Sequence, residues 1–200
     1  MNKIKKAIII VFVALGLSSC EVLTQIANSA AEMYNFTNCT FDFKDVNKIQ
    51  MLGFDLSRGM DKSDLNVSQL LQLTNALLNK SLPVSFNVNL DVANPNSIAA
   101  SMAKMDYIVS LNDKEVISTT MNQSVSVPGN SNSVVTIPIT TDLFKLFNEE
   151  TGDAIVNLAF KLAGAQSDPV NVGIKVKPYI SINGRQMAYP NYITLNKELR

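Results

Sequence analysis

Leu82-Pro83-Val84-Ser85-Phe86-Asn87-Val88-Asn89-Leu90-Asp91-Val92-Ala93-Asn94-Pro95-Asn96 alternates apolar and polar side chains almost without a break. Val84, Phe86, Val88, Leu90 and Val92 fall on one side and Ser85, Asn87, Asn89 and Asp91 on the other, the period of two that marks a strand with one dry and one wet face. Burying the five apolar side chains contributes roughly 8 to 15 kcal/mol, at about 1.5 to 3 each, before the entropy of ordering the chain is set against it. The strand ends at Asn94-Pro95-Asn96, because Pro95 has no backbone donor and pushes Asn94 into extended geometry, so the chain turns there.

On the N-terminal side, Thr37, Cys39, Phe41 and Phe43 alternate with Asn38, Thr40 and Asp42. Ile49, Met51, Leu52, Phe54 and Leu56 follow Asp45-Val46-Asn47, which predicts two strands. Between Asp61 and Lys80 the period changes. Leu70, Leu71, Leu73, Ala76, Leu77 and Leu78 recur at three- and four-residue spacing, with Ser63 or Asn66 able to cap the start, so an amphipathic helix with a core-facing leucine stripe is expected.

On the C-terminal side, Ile98 to Leu111 and Glu115 to Val127 are extended runs joined through Asn112-Asp113-Lys114, an antiparallel hairpin by its turn chemistry. Val134 to Ile139 is the next strand, and Pro138 places its end at a sheet edge. Thr141 or Asp142 caps a helix that opens at Leu143. For residues 153–164, Ile155, Leu158, Ala159 and Leu162 fit a helix capped by Asp153, whereas Val156, Leu158, Phe160 and Leu162 fit a strand; Ala159, Ala163 and Ala165 favour the helix. Val170 to Ile182 is a strand with Val172, Ile174 and Val176 inward. Asn183-Gly184 is a two-residue hairpin turn, Arg185 to Ala188 returns, and Tyr192 to Leu195 closes the sheet. Short alternating strands separated by turn signals predict a mainly β chain, an antiparallel β-sandwich or barrel, with two or three added helices.

At the N-terminus, Lys3, Lys5 and Lys6 precede the apolar run Ala7 to Leu17, followed by Ser18-Ser19-Cys20, the layout of a secretory signal over residues 1–19. The run is too short to span a bilayer as a helix, which takes about 20 residues. Leu17-Ser18-Ser19-Cys20 resembles the lipobox of bacterial lipoproteins, which implies that Cys20 is acylated on sulfur and becomes the new N-terminus. Two acyl chains, at about 0.8 kcal/mol per buried CH2, anchor a protein without a spanning helix. Residues 20–33 then read as a membrane-proximal tether or short helix, with Val22, Ile26, Ala30 and Met33 at helical spacing, and residues 34–200 as one domain with a helical insertion near 64–80. Cleavage removes three of 17 basic residues and none of 17 acidic ones, so the mature net charge is about −3. Nucleic acid is therefore not an expected partner, because its binding needs clustered Lys and Arg to displace phosphate counterions. With Cys20 lipidated, Cys39 has no partner in the chain and is expected to pack as a small hydrophobe.

The order of elements resembles the late embryogenesis abundant type 2 family, also called the water stress and hypersensitive response domain. The residues that carry the likeness are the alternating strand ending in Asn94-Pro95-Asn96, the aromatic strand and short turn Met105 to Val116, and the segment Ser124 to Ile139 leading to a Pro. The resemblance runs from about Cys39 to Leu195, with the Leu65 to Lys80 helix as an insertion. It implies a sandwich like a fibronectin type III or immunoglobulin module.

The chain has no His, which removes the commonest general base and metal ligand together with Ser-His-Asp and Cys-His catalysis. The paired or clustered carboxylates Asp61 and Asp64, Glu149 and Glu150, and Asp153 all sit in turn or cap contexts. Neither a glycine-rich phosphate loop nor calcium-loop spacing is present. No catalytic residue, cofactor or metal is expected. The expected role is a non-catalytic, membrane-anchored envelope lipoprotein with a binding or stress-protective function. Its expected place is the cell envelope, anchored to the outer membrane on the periplasmic side or at the cell surface; Glu21-Val22-Leu23-Thr24 lacks the acidic run that sends some lipoproteins to the surface, which favours the periplasmic side. The alternative is a carrier holding a lipid or other apolar ligand between sheet and helices, in a cavity lined by Leu70 to Leu78. Partner loops are expected at Asn94 to Ser97 and Gly129 to Ser133.

Overall fold

The computed structural model describes residue 31 and residues 35–36, 38–147, 149–164, 169–182 and 185–199. In chain order the elements are β1 (Thr40–Met51), β2 (Phe54–Asp55), α1 (Val67–Leu78), β3 (Pro83–Asn94), β4 (Ala100–Met102), β5 (Lys104–Leu111), β6 (Lys114–Met121), β7 (Val125–Val127), β8 (Ser131–Asp142), α2 (Leu143–Leu146), α3 (Gly152–Leu162), β9 (Val170–Ile182), β10 (Arg185–Ala188) and β11 (Ile193–Leu199). One sheet has the order β2-β1-β3-β8 and the other β10-β9-β5-β6, with β11 also on β9; β4 and β7 pair separately. Every pairing is antiparallel.

β3 lies between β1 and β8, and its five dry-face side chains Val84, Phe86, Val88, Leu90 and Val92 are buried to 1% exposure or less. They face Val109 and Leu111 of β5 and Val172, Ile174 and Val176 of β9 across one core. The alternation of β3 and β9 thus puts two layers of β-branched and aromatic side chains between two sheets, the packing of a sandwich.

Several boundaries differ from the sequence expectation. Thr40 to Met51 is one strand instead of two, because Asp45-Val46-Asn47 is absorbed by register shifts against β3, with Lys48 at φ 50 in the second of them. The hydrophobic run from Leu52 instead turns back at Leu52-Gly53 and supplies β2. The two long runs after Asn96 break into β4 with β5 and β6 with β7, so each serves two pairings. The hairpin between β5 and β6 stands as expected: Asn112 and Asp113 have φ of 48 and 64, the left-handed pair a two-residue loop of the I′ kind requires. Arg185 pairs with Ile182, so a hairpin closes there, while Asn183-Gly184 themselves, like Cys20, the signal segment and nearly all of the tether, lie outside the described residues.

Both longer helices form. α1 is capped by Asn66 in a capping box with Gln69, and α3 by Thr151, not by Asp153, which pairs with Lys62 at 3.0 Å. The helical reading of residues 153–164 holds, since Ile155, Val156, Leu158, Ala159, Phe160 and Leu162 are all buried. The leucine stripe of α1 does not face the core as a whole. Leu73 and Ala76 are buried and Leu77 is half-buried, but Val67, Leu70, Leu71 and Leu78 are 75%, 44%, 62% and 77% exposed. α1 packs along one narrow line, with Leu77 beside Gly152 at the start of α3, where an added Cβ would lie 2.9 Å from its Cδ2. The rest of its apolar surface turns outward.

Asp142 ends β8 and caps α2. Its carboxylate accepts from Ser81 Oγ at 2.7 Å, Leu82 N at 2.9 Å and Phe144 N at 3.0 Å, tying three segments together. Burial raises its pKa, but these donors and nearby Lys145 outweigh it and hold the group below the ordinary carboxylate range. A depressed folded pKa stabilises the fold above the unfolded value, near 3.9, and that contribution is lost as pH falls through the folded value. Asp142→Ala is expected to cost about 1 to 3 kcal/mol at pH 7. The gap from the parent should narrow in urea titrations repeated below about pH 4; a gap independent of pH would contradict the role.

Candidate functional site

The length of β3, about 36 Å for the steps of ~3.3 Å between its twelve residues, separates the two ends of the sandwich. At one end lie the exit of β3, the loop into β8 and the entry to β1. At the other lie the start of β3, the turn Asn112-Asp113 and the three helices, with Lys114 Nζ 4.9 Å from the centre of the Phe147 ring.

Asn94, Pro95 and Asn96 organise the first end. Asn94 is 2% exposed. Its Nδ2 donates to the carbonyls of Ile98 at 3.0 Å, Val127 at 3.0 Å and Pro128 at 3.2 Å, while its Oδ1 accepts from Asn96 N at 3.0 Å and Asn96 Nδ2 at 2.7 Å. Asn96 Nδ2 also donates to Asn35 O at 2.8 Å, Asn38 Nδ2 donates to Asn96 Oδ1 at 3.2 Å, and Asn130 N donates to Asn96 O at 2.7 Å. The two loops expected to meet do meet, although Ser131 to Ser133 belong to β8, and Asn94 and Asn96 spend their side-chain amides internally. Gly129 belongs to the same knot: an added Cβ would fall on the Ser97 carbonyl. Gly129→Ala should lower the urea midpoint clearly, while a similar change at Gly59, where a Cβ meets open space, is limited to the strain of its φ of 78.

Cys39 is free, half-buried and packed against the core, with Sγ 3.5 Å from Asn35 O; burial pushes its thiol pKa up, away from reactivity.

The candidate carboxylates are structural in their contacts. Asp61 caps the short 3-10 turn before α1, its pKa held down by the Ser63 hydroxyl and amide, and Asp64 accepts from Asp61 N at 2.9 Å. Asp61 and Asp64 are close but both exposed, and Asp153 is bound to Lys62. Glu149 and Glu150 are exposed beside α3. Sequence reading missed two networks. Asp106 accepts from Thr120 at 2.6 Å and Tyr179 at 2.6 Å; burial raises its pKa, but these bonds with Lys104 and Lys177 bring it down. Asn89, on the nominally wet face, is 5% exposed because it donates to Asp45 at 2.6 Å and accepts from Thr136 at 2.7 Å. Alternation cannot show such pairs, whose members lie 14 to 73 residues apart. A general acid at neutral pH needs a raised pKa, and the resolved carboxylate shifts all run the other way. Among the described residues no three His, Cys, Asp or Glu side chains converge as a metal site, and no helix is long and apolar enough to cross a membrane.

A groove of about 830 Å³ is open and mixed, lined by Lys44, Lys48, Arg58 and Lys197 with Asp45, Asp55 and apolar Ile49 and Leu56. Leu70, Leu71 and Leu78 do not line it.

No curated protein matches the chain significantly. Among solved structures, a protein from Archaeoglobus fulgidus is 12% identical with a TM-score of 0.38, covering 78% of this chain and 96% of its own. A protein from Arabidopsis thaliana is 15% identical with a TM-score of 0.41, over 61% and 72%. A third, described as a late embryogenesis abundant protein, is 12% identical with a TM-score of 0.34, over 95% and 84%. All three scores are low, so the assignment rests on a family model for late embryogenesis abundant proteins, type 2, which matches residues 89–188. That match spans half the chain and takes in the end of β3, the Asn94-Pro95-Asn96 knot and the strands through β10, and by it the chain belongs to the late embryogenesis abundant type 2 family.

Proposed function

We propose that this protein is a lipid-anchored, non-catalytic binding module of the cell envelope, held to the membrane through Cys20. The observation that supports it is the layout of the domain relative to the lipobox. The chain enters the sandwich at Asn35, pinned by Asn96, so an anchor upstream holds the knotted end and turns the helical end away from the membrane. A non-catalytic role fits the occupied, depressed carboxylates and the family. The carrier alternative calls for an enclosed apolar cavity at Leu70 to Leu78, and Leu70, Leu71 and Leu78 turn to solvent instead.

Cys20→Ser is expected to move the protein from the membrane pellet to the soluble fraction of lysed cells and to abolish incorporation of labelled fatty acid. Retention in the pellet with label still incorporated would overturn the anchor. Turnover of esters, glycosides or phosphoesters lost on changing one carboxylate would overturn the non-catalytic reading.

A further inference from the structure

β5 runs from Lys104 to the Asn112-Asp113 turn, so its start, Tyr179 of β9 opposite it and all of β10 lie at the knotted end, where the chain enters at Asn35. Phe36 is buried there and shares a small apolar pocket of about 50 Å³ with Ile180, Met187, Tyr189 and Pro190. The chain upstream of Asn35 is thereby placed beside β10. Around this point the surface is apolar and basic at once. Ile98 and Met187 are 48% and 47% exposed, and Pro190 is open to solvent. Lys104 Nζ lies 4.4 Å from the centre of the Tyr179 ring, and Lys177 Nζ 5.5 Å from that of the exposed Tyr192. Asp106, two residues on from Lys104 and cross-strand from Lys177, spends its carboxylate on Thr120 and Tyr179. The helical pole instead presents the exposed carboxylates Asp113, Glu115, Glu149 and Glu150.

We infer that the knotted end rests on an anionic lipid surface, with Met187 and Ile98 toward the acyl chains, Tyr179 and Tyr192 at headgroup level, and Lys104 and Lys177 on lipid phosphates. Tyrosines with an apolar body and a polar tip, and lysines with long apolar stems, suit the boundary between water and acyl chains. Each lysine near an anionic leaflet contributes about fivefold in affinity. Only the residues between Cys20 and Asn35 separate the anchor from this pole, so the tether keeps it concentrated over the headgroups, and a contact too weak to hold the domain alone becomes occupied. A second copy of this chain is the poorer occupant. Pairing the patch with itself about a two-fold axis sets Lys104 and Lys177 against the same lysines, with only the engaged Asp106 to offset them.

The inference deepens the anchoring reading above and rests on it for which pole meets the membrane. The full chain, extracted from membranes in detergent, is reconstituted into nanodiscs of phosphatidylcholine with about a third phosphatidylglycerol and a nitroxide on the headgroups. Methyl groups of Met187 and Ile98 are expected to relax at least fivefold faster than those of Leu70 and Leu71 on α1. That ratio should fall at least threefold when phosphatidylglycerol is omitted, or when Lys104→Glu and Lys177→Glu are combined. Met187→Ser, which removes apolar surface and no charge, should lower the rate at Ile98 at least twofold with far-ultraviolet circular dichroism unchanged. Equal rates at the two poles, faster rates at α1, or a ratio indifferent to phosphatidylglycerol and to the variants would overturn the proposal. So would protection of Met187 by soluble polygalacturonate but not by lipid, or by dimerisation of the chain. The anchor fails separately. A chain without acyl groups is lost from pure phosphatidylcholine discs; its retention on discs with phosphatidylglycerol would still support the contact, and its loss from both would overturn the contact as well.

Discussion

Phe86→Ala is expected to cost about 3 to 5 kcal/mol in urea unfolding, and Asn87→Ala, one residue along, less than about 1. Phe86 is 1% exposed on the core face of the central strand, and its removal leaves a cavity that β1 and β8 on either side prevent from collapsing. Asn87 lies half-buried on the opposite face, and no side-chain hydrogen bond recorded among the described residues depends on it. Equal losses at the two positions would mean that the dry and wet faces of β3 had been exchanged, since a slip of one residue moves every side chain to the other side.

The second large effect belongs to Asn94. Asn94→Ala leaves three carbonyls of Ile98, Val127 and Pro128 without their amide donor in a buried site and is expected to cost about 2 to 4 kcal/mol. Asn94→Asp keeps the shape but turns an oxygen toward those carbonyl oxygens and, when ionised, buries a charge among them. Its folded pKa is raised above the unfolded value near 3.9, so the protonated form is favoured in the fold and stability is lost as pH rises through the window above that value. Asn94→Asp should therefore be less stable than Asn94→Ala at pH 7 and recover toward it at pH 4. Denaturation midpoints at the two pH values measure this, and an Asp variant indifferent to pH would show that the carbonyls do not converge on this side chain.

The sandwich was legible because its two main strands bury one face each and so carry an uninterrupted alternation, as Val84 to Val92 and Val172 to Val176 show. Boundaries were less legible where backbone geometry overrides pattern. The register shifts of β1 let Asp45-Val46-Asn47, which looks like a turn, stay inside a strand. α1 misled for a different reason: an apolar stripe reports that a surface is apolar, not that anything covers it, and at Leu70, Leu71 and Leu78 nothing among the described residues does. Asn94-Pro95-Asn96 was legible as a turn but not as a knot, because the carbonyls that Asn94 binds come from segments up to 34 residues away.

The pinning of Asn35 to Asn96 has a mechanical side. A pull on the chain upstream of Asn35, resisted at the helical end of the molecule, acts along the axis of β1 and against its antiparallel neighbour β3. The ladder from Thr40–Ala93 to Met51–Val84 is then loaded in shear, so its hydrogen bonds share the force instead of parting one at a time. Pulled in this direction the domain holds its shape under tension, whereas the same pull applied across β11 would peel that edge strand from β9 pair by pair.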